Sequence, residues 1–374
     1  MFKSCVLTDW REVKALEPEW NTLLSASSAD CLFLTWEWIS SWIEIAGANV
    51  DPWFVVVRDA GDGLVGVAPF YLAHTRLLGV VGFRTLRIAS DHATGFEYGD
   101  WIVDASVERE VYAEIGHELA RRRRAWDIIW MPRMSGWSGA LERITRAADD
   151  ASLPWHERPH PFSAVPLPSS LAEYEEGMSS NRRQQMRRKK RKLLGTDGVS
   201  IKACERTEDL PAFLDKLFEL HHRRRMLLDD PGTFERKPAT ASFYRAFAAR
   251  ALDRGWLRLI AMLQGDDIVA IQIGYAYGGV FHQLQEGFDP DYVDGAGNVL
   301  RHIVIEQCID EGLGAYDFLG GFTEHKRRWG AELREGHDLI IGSPRIKSRL
   351  LLRADVWPTG RLMTEGGLYD GPDA

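Results

Sequence analysis

The sequence predicts an α/β (α+β) protein made of two tandem copies of one unit, each a mixed, mostly antiparallel sheet flanked by helices. Three observations predict it. Residues 115–130, IGHELARRRRAWDIIW, align without gaps on residues 305–320, IEQCIDEGLGAYDFLG. Ile115 matches Ile305, Leu119 matches Ile309, Ala125 matches Ala315, Trp126 matches Tyr316 and Asp127 matches Asp317. Both stretches read as a helix, a turn and a buried strand. Residues 53–68 and 256–272 each read as strand, Gly/Asp turn, strand, which is a β-hairpin. Finally, 374 residues, 45% hydrophobic and 27% charged, suffice for two cores.

Within each copy the order is helix, hairpin, strand, helix, strand. That order excludes a doubly wound parallel sheet. Prolines cluster between Pro154 and Ser170, as suits a crossing between domains. The expected domains are residues 1–165, residues 166–345 and a tail, 346–374. The tail region opens basic, RIKSRLLLR from Arg345, and ends acidic and Gly-rich; its last ten residues are expected to be disordered.

The start, MFKSCVLTDWREV, has no apolar core of a signal peptide, and no run of about 18 apolar residues follows. The expectation is a cytoplasmic protein with no integral membrane segment. Cys5, Cys31, Cys204 and Cys308 lie far apart, with no zinc or redox spacing, and read as buried thiols. A net charge of −8 argues against non-specific nucleic-acid binding by the whole protein. Fourteen tryptophans are a high count, concentrated in the N-terminal half. No metal site is expected, and no triad, P-loop, zinc-protease or Rossmann pattern is present.

The copies differ where a helix begins. Copy two has Gly295-Ala296-Gly297 before its helix, and copy one has DASVERE, residues 104–110. Glycine permits close backbone approach and first-turn amides point at an anion, so the turn suits a phosphate. An ordinary connection is the alternative. Acids at the copy-one helix would repel a phosphate, so copy two reads as the cofactor half and copy one as a degenerate half. Asp294 counts against a phosphate unless it caps the helix or shapes the turn. Arg301 and His302, early in helix 298–311, oppose the helix dipole unless an anion binds; otherwise both reach solvent.

Residues 182–192, RRQQMRRKKRK, hold eight cations in eleven residues. They read as a solvated helix face, a phosphate site, an RNA contact or a membrane surface. Leu220-His221-His222-Arg223-Arg224-Arg225 ends a helix, where cations are favourable in themselves. Residues 324–329, EHKRRW, follow the strand 316–319 at its carboxyl end, where α/β sites usually lie.

Together these residues resemble the GNAT acyltransferase superfamily, and within it the double-GNAT, CelD-like proteins of cellulose and polysaccharide gene clusters, relatives of Fem-type peptidyltransferases. The resemblance rests on FLTWEW at 33–38 with Trp42, VAPFYL at 67–72, Asn181-Arg182-Arg183, Leu220-His221 with Arg224, Gly287-Phe288-Asp289, the glycine turn, YDFLGG at 316–321, and Lys326 with Trp329-Gly330. It implies two GNAT-like folds in tandem. It further implies acyl-CoA or acetyl-CoA as co-substrate, with pantetheine beside the strand before the turn. The pyrophosphate would lie on the amides of Gly295, Ala296, Gly297, Asn298 and Val299. The family turn usually begins with Gln or Arg; here Tyr292 stands there. Fem-type relatives use aminoacyl-tRNA as donor, which brings the basic run back into view.

The expected reaction is direct attack of an amine on the acyl donor, aided by alignment. A backbone amide between Leu284 and Gly287 would meet the oxyanion. His282, Glu286 and Asp289 are the candidate bases, with Glu286 the expected one. Tyr292 would protonate the leaving group. Arg301 joins the cofactor site. Lys326 and Arg224 would hold anionic charge, and His221, Asp289 and Asp317 complete the substrate side. The acceptor is an amino sugar, an amino acid or a peptide amine. An aminoacyl-tRNA-dependent ligase and a non-catalytic subunit of polysaccharide assembly remain open as alternatives.

Overall fold

A computed structural model describes residues 2–91, 94–293, 295–354 and 357, and the backbone of 363–365. Asp294 and the end of the tail, on which expectations were placed, lie outside the described residues. The chain divides into two compact units. Unit 1 comprises Met1–His160 with Glu335–Ala374, and unit 2 comprises Pro161–Arg334.

In unit 1 the strands run, neighbour to neighbour, Lys3–Leu7, Asp51–Arg58, Leu64–Leu77, Val81–Ile88, Ile128–Ser135 and the part of Glu332–Gly342 from residue 335. In unit 2 the order is Val199–Ala203, Leu257–Gln264, Asp267–Tyr277, Val280–Phe288, Ala315–Gly320 and the part of Trp155–Pro166 from residue 161. The two orders correspond strand for strand. Each contains one parallel pair, Thr85–Arg87 with Ile128–Trp130 and Val280–His282 with Ala315–Asp317. The other pairings are antiparallel, as hairpin connections require.

The outermost strands are exchanged in sequence. Residues 336–342, beyond unit 2 in the chain, pair with Ile128–Ser135 of unit 1. Residues 335–345 therefore fold with unit 1, whereas the sequence groups them with the second copy. The repeat stops at residue 320 and carries no sign of this. Cys5 is a second difference. It is exposed, because it sits on the outward side of the edge strand Lys3–Leu7, while Cys204 and Cys308 are buried as expected.

In unit 2, helix Ala296–Asp310 places Val299, Leu300, Ile303, Val304 and Cys308 against Phe281, Tyr316, Met262 and Ala270. Its apolar stripe at helical spacing is what drives that docking. Gly312, at φ 73°, ends it in the left-handed conformation open to glycine. Helix Leu210–Met226 lies against strand Val280–Phe288. A Cβ at Gly287 would stand 2.6 Å from the His221 backbone nitrogen, so only glycine allows this approach. Among the described residues, no helix is long and apolar enough to cross a membrane, and no cluster of His, Cys, Asp and Glu is placed to hold a metal.

Candidate active site

The strands Val280–Phe288 and Ala315–Gly320 pair over three residues only. Just beyond, both bulge. Leu284 has no partner, because the register passes from Gln283↔Gly274 to Gln285↔Ile273. Gly274 makes the room: a Cβ there would sit 2.3 Å from the Phe281 ring and 2.6 Å from the His282 carbonyl oxygen. On the other strand the register skips between Asp317 and Gly320, and Leu319 is left-handed at φ 61°. Asp317 accepts the Leu319 N–H at 2.8 Å and so holds that bulge. A bulge bends its strand and frees backbone groups from the ladder. The stretch from Leu284 to Gly287 thus loses its neighbour on the side of residues 315–320.

The glycine turn lies beyond this opening. Gly295 is left-handed at φ 94°, and among the described residues no side chain caps the helix. A Cβ at Gly297 would come within 3.0 Å of Phe288 Cδ1. The Val299 N–H donates to the Gly295 carbonyl at 2.9 Å, and Ala296 donates to Val293 at 3.3 Å. By position, the amides of Gly297 and Asn298 have no carbonyl within the helix to reach.

The basic run arrives at this turn. Helix Ser180–Leu194 is capped by Ser179, whose hydroxyl accepts the Arg182 N–H. A Cβ at Gly295 would stand 2.9 Å from Lys189 Nζ, so the ammonium lies over the turn. A pocket of about 280 Å³ opens there, lined by Arg182, Gln185, Met186, Lys189, Asn298, His325, Arg328 and Trp329. The Arg182 guanidinium stacks on the Trp329 ring at 4.8 Å. Other cations of the run serve the fold: Arg187 pairs with Glu175 and Lys190 with Glu306. Arg188, Arg191 and Lys192 are exposed.

A charge network spans the two strands. Glu286 pairs with Arg301 and, at 2.9 Å, with Arg224. Arg301 is buried, lies over the rings of Phe318 and Trp329, and donates to His325 Nε2 at 2.7 Å. Burial opposes ionisation of Glu286, but Arg301 and Arg224 outweigh it and hold the carboxyl below its ordinary value. Burial, then the Arg301 charge, keeps His325 below the ordinary imidazole value. Arg301 and His302 therefore do not reach solvent; His302 is buried 3.2 Å from Glu175. Arg301 answers Glu286 directly.

The remaining predicted residues have these partners. Lys326 Nζ donates to the carbonyls of Phe318, Gly320 and Gly321, and so secures the strand end. The Tyr292 hydroxyl donates to Gln264, beside the hairpin turn 265–266. Asp289 accepts from Arg223 at 2.7 Å and from the Asp291 N–H at 2.9 Å. His282 is buried with Nδ1 3.6 Å from Asp317. His221 is buried under Gly232, and burial, then Arg224 and Arg225, pushes it down to about 4. Sequence reasoning overlooked Gly274, and it did not connect Lys189 with Gly295. The signal for the first was a glycine inside a strand pattern.

Residues 180–327 match the family model of the acetyltransferase (GNAT) domain. FemX has the same fold: TM-score 0.58 and 13% identity, over 90% of this chain and 96% of that one. So does the C-terminal domain of a candidate lysylphosphatidylglycerol synthetase from Agrobacterium fabrum, with TM-score 0.53 and 11% identity over 96% and 98% of the two chains. No curated protein sequence matches significantly.

Proposed function

We propose that this chain, with a GNAT domain at residues 180–327, moves an acyl group from acyl-CoA to an amine. One observation carries the reading: Lys189 of the basic helix lies over Gly295, the left-handed residue at the start of a helix. The residues present suit the donor's phosphates. Gly295 offers close approach, Gly297 and Asn298 offer amides, and Lys189, Arg182 and Arg328 offer charge. When bound, acyl-CoA supplies an activated thioester carbonyl.

The chain's own part is to bind and align. Backbone amides of the bulged stretch, Leu284 to Gly287, are the donors for the carbonyl oxygen. Glu286 is ionised at neutral pH and too acidic for a well-tuned base, since such a base works best with a pKa near the operating pH. Its role is to fix Arg224 and Arg301 at the strand opening. Asp317 sets the second bulge, and Lys326 steadies the strand end that carries it.

The exposed Arg188, Arg191 and Lys192 favour a second reading, an aminoacyl-tRNA donor on the same scaffold. Thermal denaturation separates the two. Acetyl-CoA or a longer acyl-CoA at 100 times its dissociation constant should add about 2.7 kcal/mol of stability. No shift with any acyl-CoA overturns the first reading. The second then requires tRNA binding that weakens steeply with salt and falls when Arg188, Arg191 and Lys192 are neutralised.

A further inference from the structure

We propose that unit 1 carries a peripheral docking surface for an anionic lipid bilayer, built from the hairpin tip around Leu78–Val80 and the helix Ile346–Arg353. The proposal is independent of the transfer reading and uses neither the glycine turn nor the basic helix of unit 2.

The tip is unusual in two ways. It is apolar throughout, Leu77-Leu78-Gly79-Val80-Val81, and its side chains stay in solvent although the strand Met363–Glu365 pairs with Thr75–Leu77 just behind it. Leu78 is 65% exposed, Val80 83% and Val81 44%. A tight turn closes it, with the Val80 N–H donating to Leu77 at 3.0 Å. Leu78 is left-handed at φ 51°, a conformation that a bulky side chain rarely adopts. Among the described residues of this unit, a branched side chain held there stays largely in solvent.

The helix continues the surface. Leu351 and Leu352 turn inward on the cluster of Phe83, Trp130 and Ile340. Ile346 and Leu350, four residues apart on one helix face, stay 79% and 59% exposed. Lys347 joins helix to hairpin, donating to the Gly82 carbonyl at 2.9 Å. Single exposed apolar residues need no explanation, but two groups of them on elements joined by Lys347 do.

Charge selects the occupant. Arg84, Arg345 and Lys347 all pair with one carboxylate, Asp127, which leaves this cluster net positive. Arg345 also donates to the Arg124 carbonyl, bringing Arg123 and Arg124 to its edge, while Arg121 and Arg122 pair with Glu114 and Glu118. Arg76, Arg123, Arg124, Arg349 and Arg353 are exposed. A cationic field on a chain of net charge −8 is a local feature, and it surrounds aliphatic side chains. Aliphatic tips that enter acyl chains, ringed by cations that meet head groups, fit an anionic bilayer. RNA would instead find no aromatic side chain at the tip on which to stack.

The test is co-sedimentation of the full chain with vesicles of phosphatidylcholine alone and of phosphatidylcholine mixed with phosphatidylglycerol. The mixed vesicles should bind at least about tenfold more tightly, and salt should weaken them. Leu78→Asp with Val80→Asp should abolish binding without lowering the thermal midpoint, because the tip is solvated. Arg123→Gln with Arg124→Gln should weaken it while leaving the apolar tip intact. No binding to the mixed vesicles overturns the proposal. So does undiminished binding by the tip variant, a self-association that the tip substitutions abolish, or RNA binding lost with the same arginines.

Discussion

The two copies share strand order and one parallel pair, and they part company at the same place. In unit 1 the strands Leu64–Leu77 and Val81–Ile88 pair without a break, from Leu77↔Val81 to Phe70↔Ile88. In unit 2 the equivalent pairing is broken by the Leu284 bulge, opposite Gly274. The helix that follows begins in unit 1 with Glu108 and Glu110, and Glu108 pairs with Arg143 at 3.2 Å. In unit 2 it begins at a left-handed glycine beneath a lysine. Beyond its parallel pairing, unit 1 carries a buried Arg87–Asp91 pair that Tyr71 also joins. Both units pair their parallel strands over three residues only, and in both the register of the next strand pair then skips. The difference lies in a bulge and in the sign of charge at a helix start.

The comparison can be broken at several points. Glu286→Gln strikes hardest, since it leaves Arg224 and Arg301 facing each other with no carboxylate. A loss of about 3–5 kcal/mol is expected in urea unfolding. Its pH dependence has a definite sign. The folded carboxyl titrates below the unfolded value of about 4.3, so its contribution is present above that pH and disappears as pH falls through the folded value. The variant should show a flatter acid limb than the wild type, and an unchanged limb would remove the pair from the account.

Gly274→Ala comes next. The new methyl would press on Phe281 and the His282 carbonyl, and overpacking of this sort costs about 1–3 kcal/mol. Donor binding should weaken with it if the bulge shapes the site. The same change at Gly82 of unit 1, where a Cβ would meet nothing within 4 Å, serves as the control and should have little effect on stability. Smallest is Glu108→Gln in unit 1, a partly exposed pair worth about 0–1 kcal/mol. Acyl-CoA affinity should not respond to it, and a response would place the donor in the wrong copy.

Much of this scaffold was legible in the sequence, for identifiable reasons. Hairpins, helix and buried strand leave periodic apolar patterns, and duplication writes them twice. The exchange of outer strands was hidden, because residues 335–342 look like any strand and their partner lies some 200 positions away. The site was legible in part. Gly295 and the Arg182–Lys192 run stood out separately, but only folding brings Lys189 to Gly295. Lys326, Tyr292 and Asp289 carry the right chemistry for a site, yet nearby backbone carbonyls, Gln264 and Arg223 take up their polar groups. Gly287 also admits helix Leu210–Met226, a packing demand that the sequence does not announce.

The central claim is that the turn of unit 2 binds the donor's phosphates through Lys189. Calorimetric titration of CoA into the wild type and into Lys189→Glu tests it most directly. The account predicts one site per chain, weakened at least about tenfold, or 1.4 kcal/mol, by the reversal of charge, with the thermal midpoint nearly unchanged. Equal affinity in the two proteins, or no CoA binding by the wild type, would contradict it.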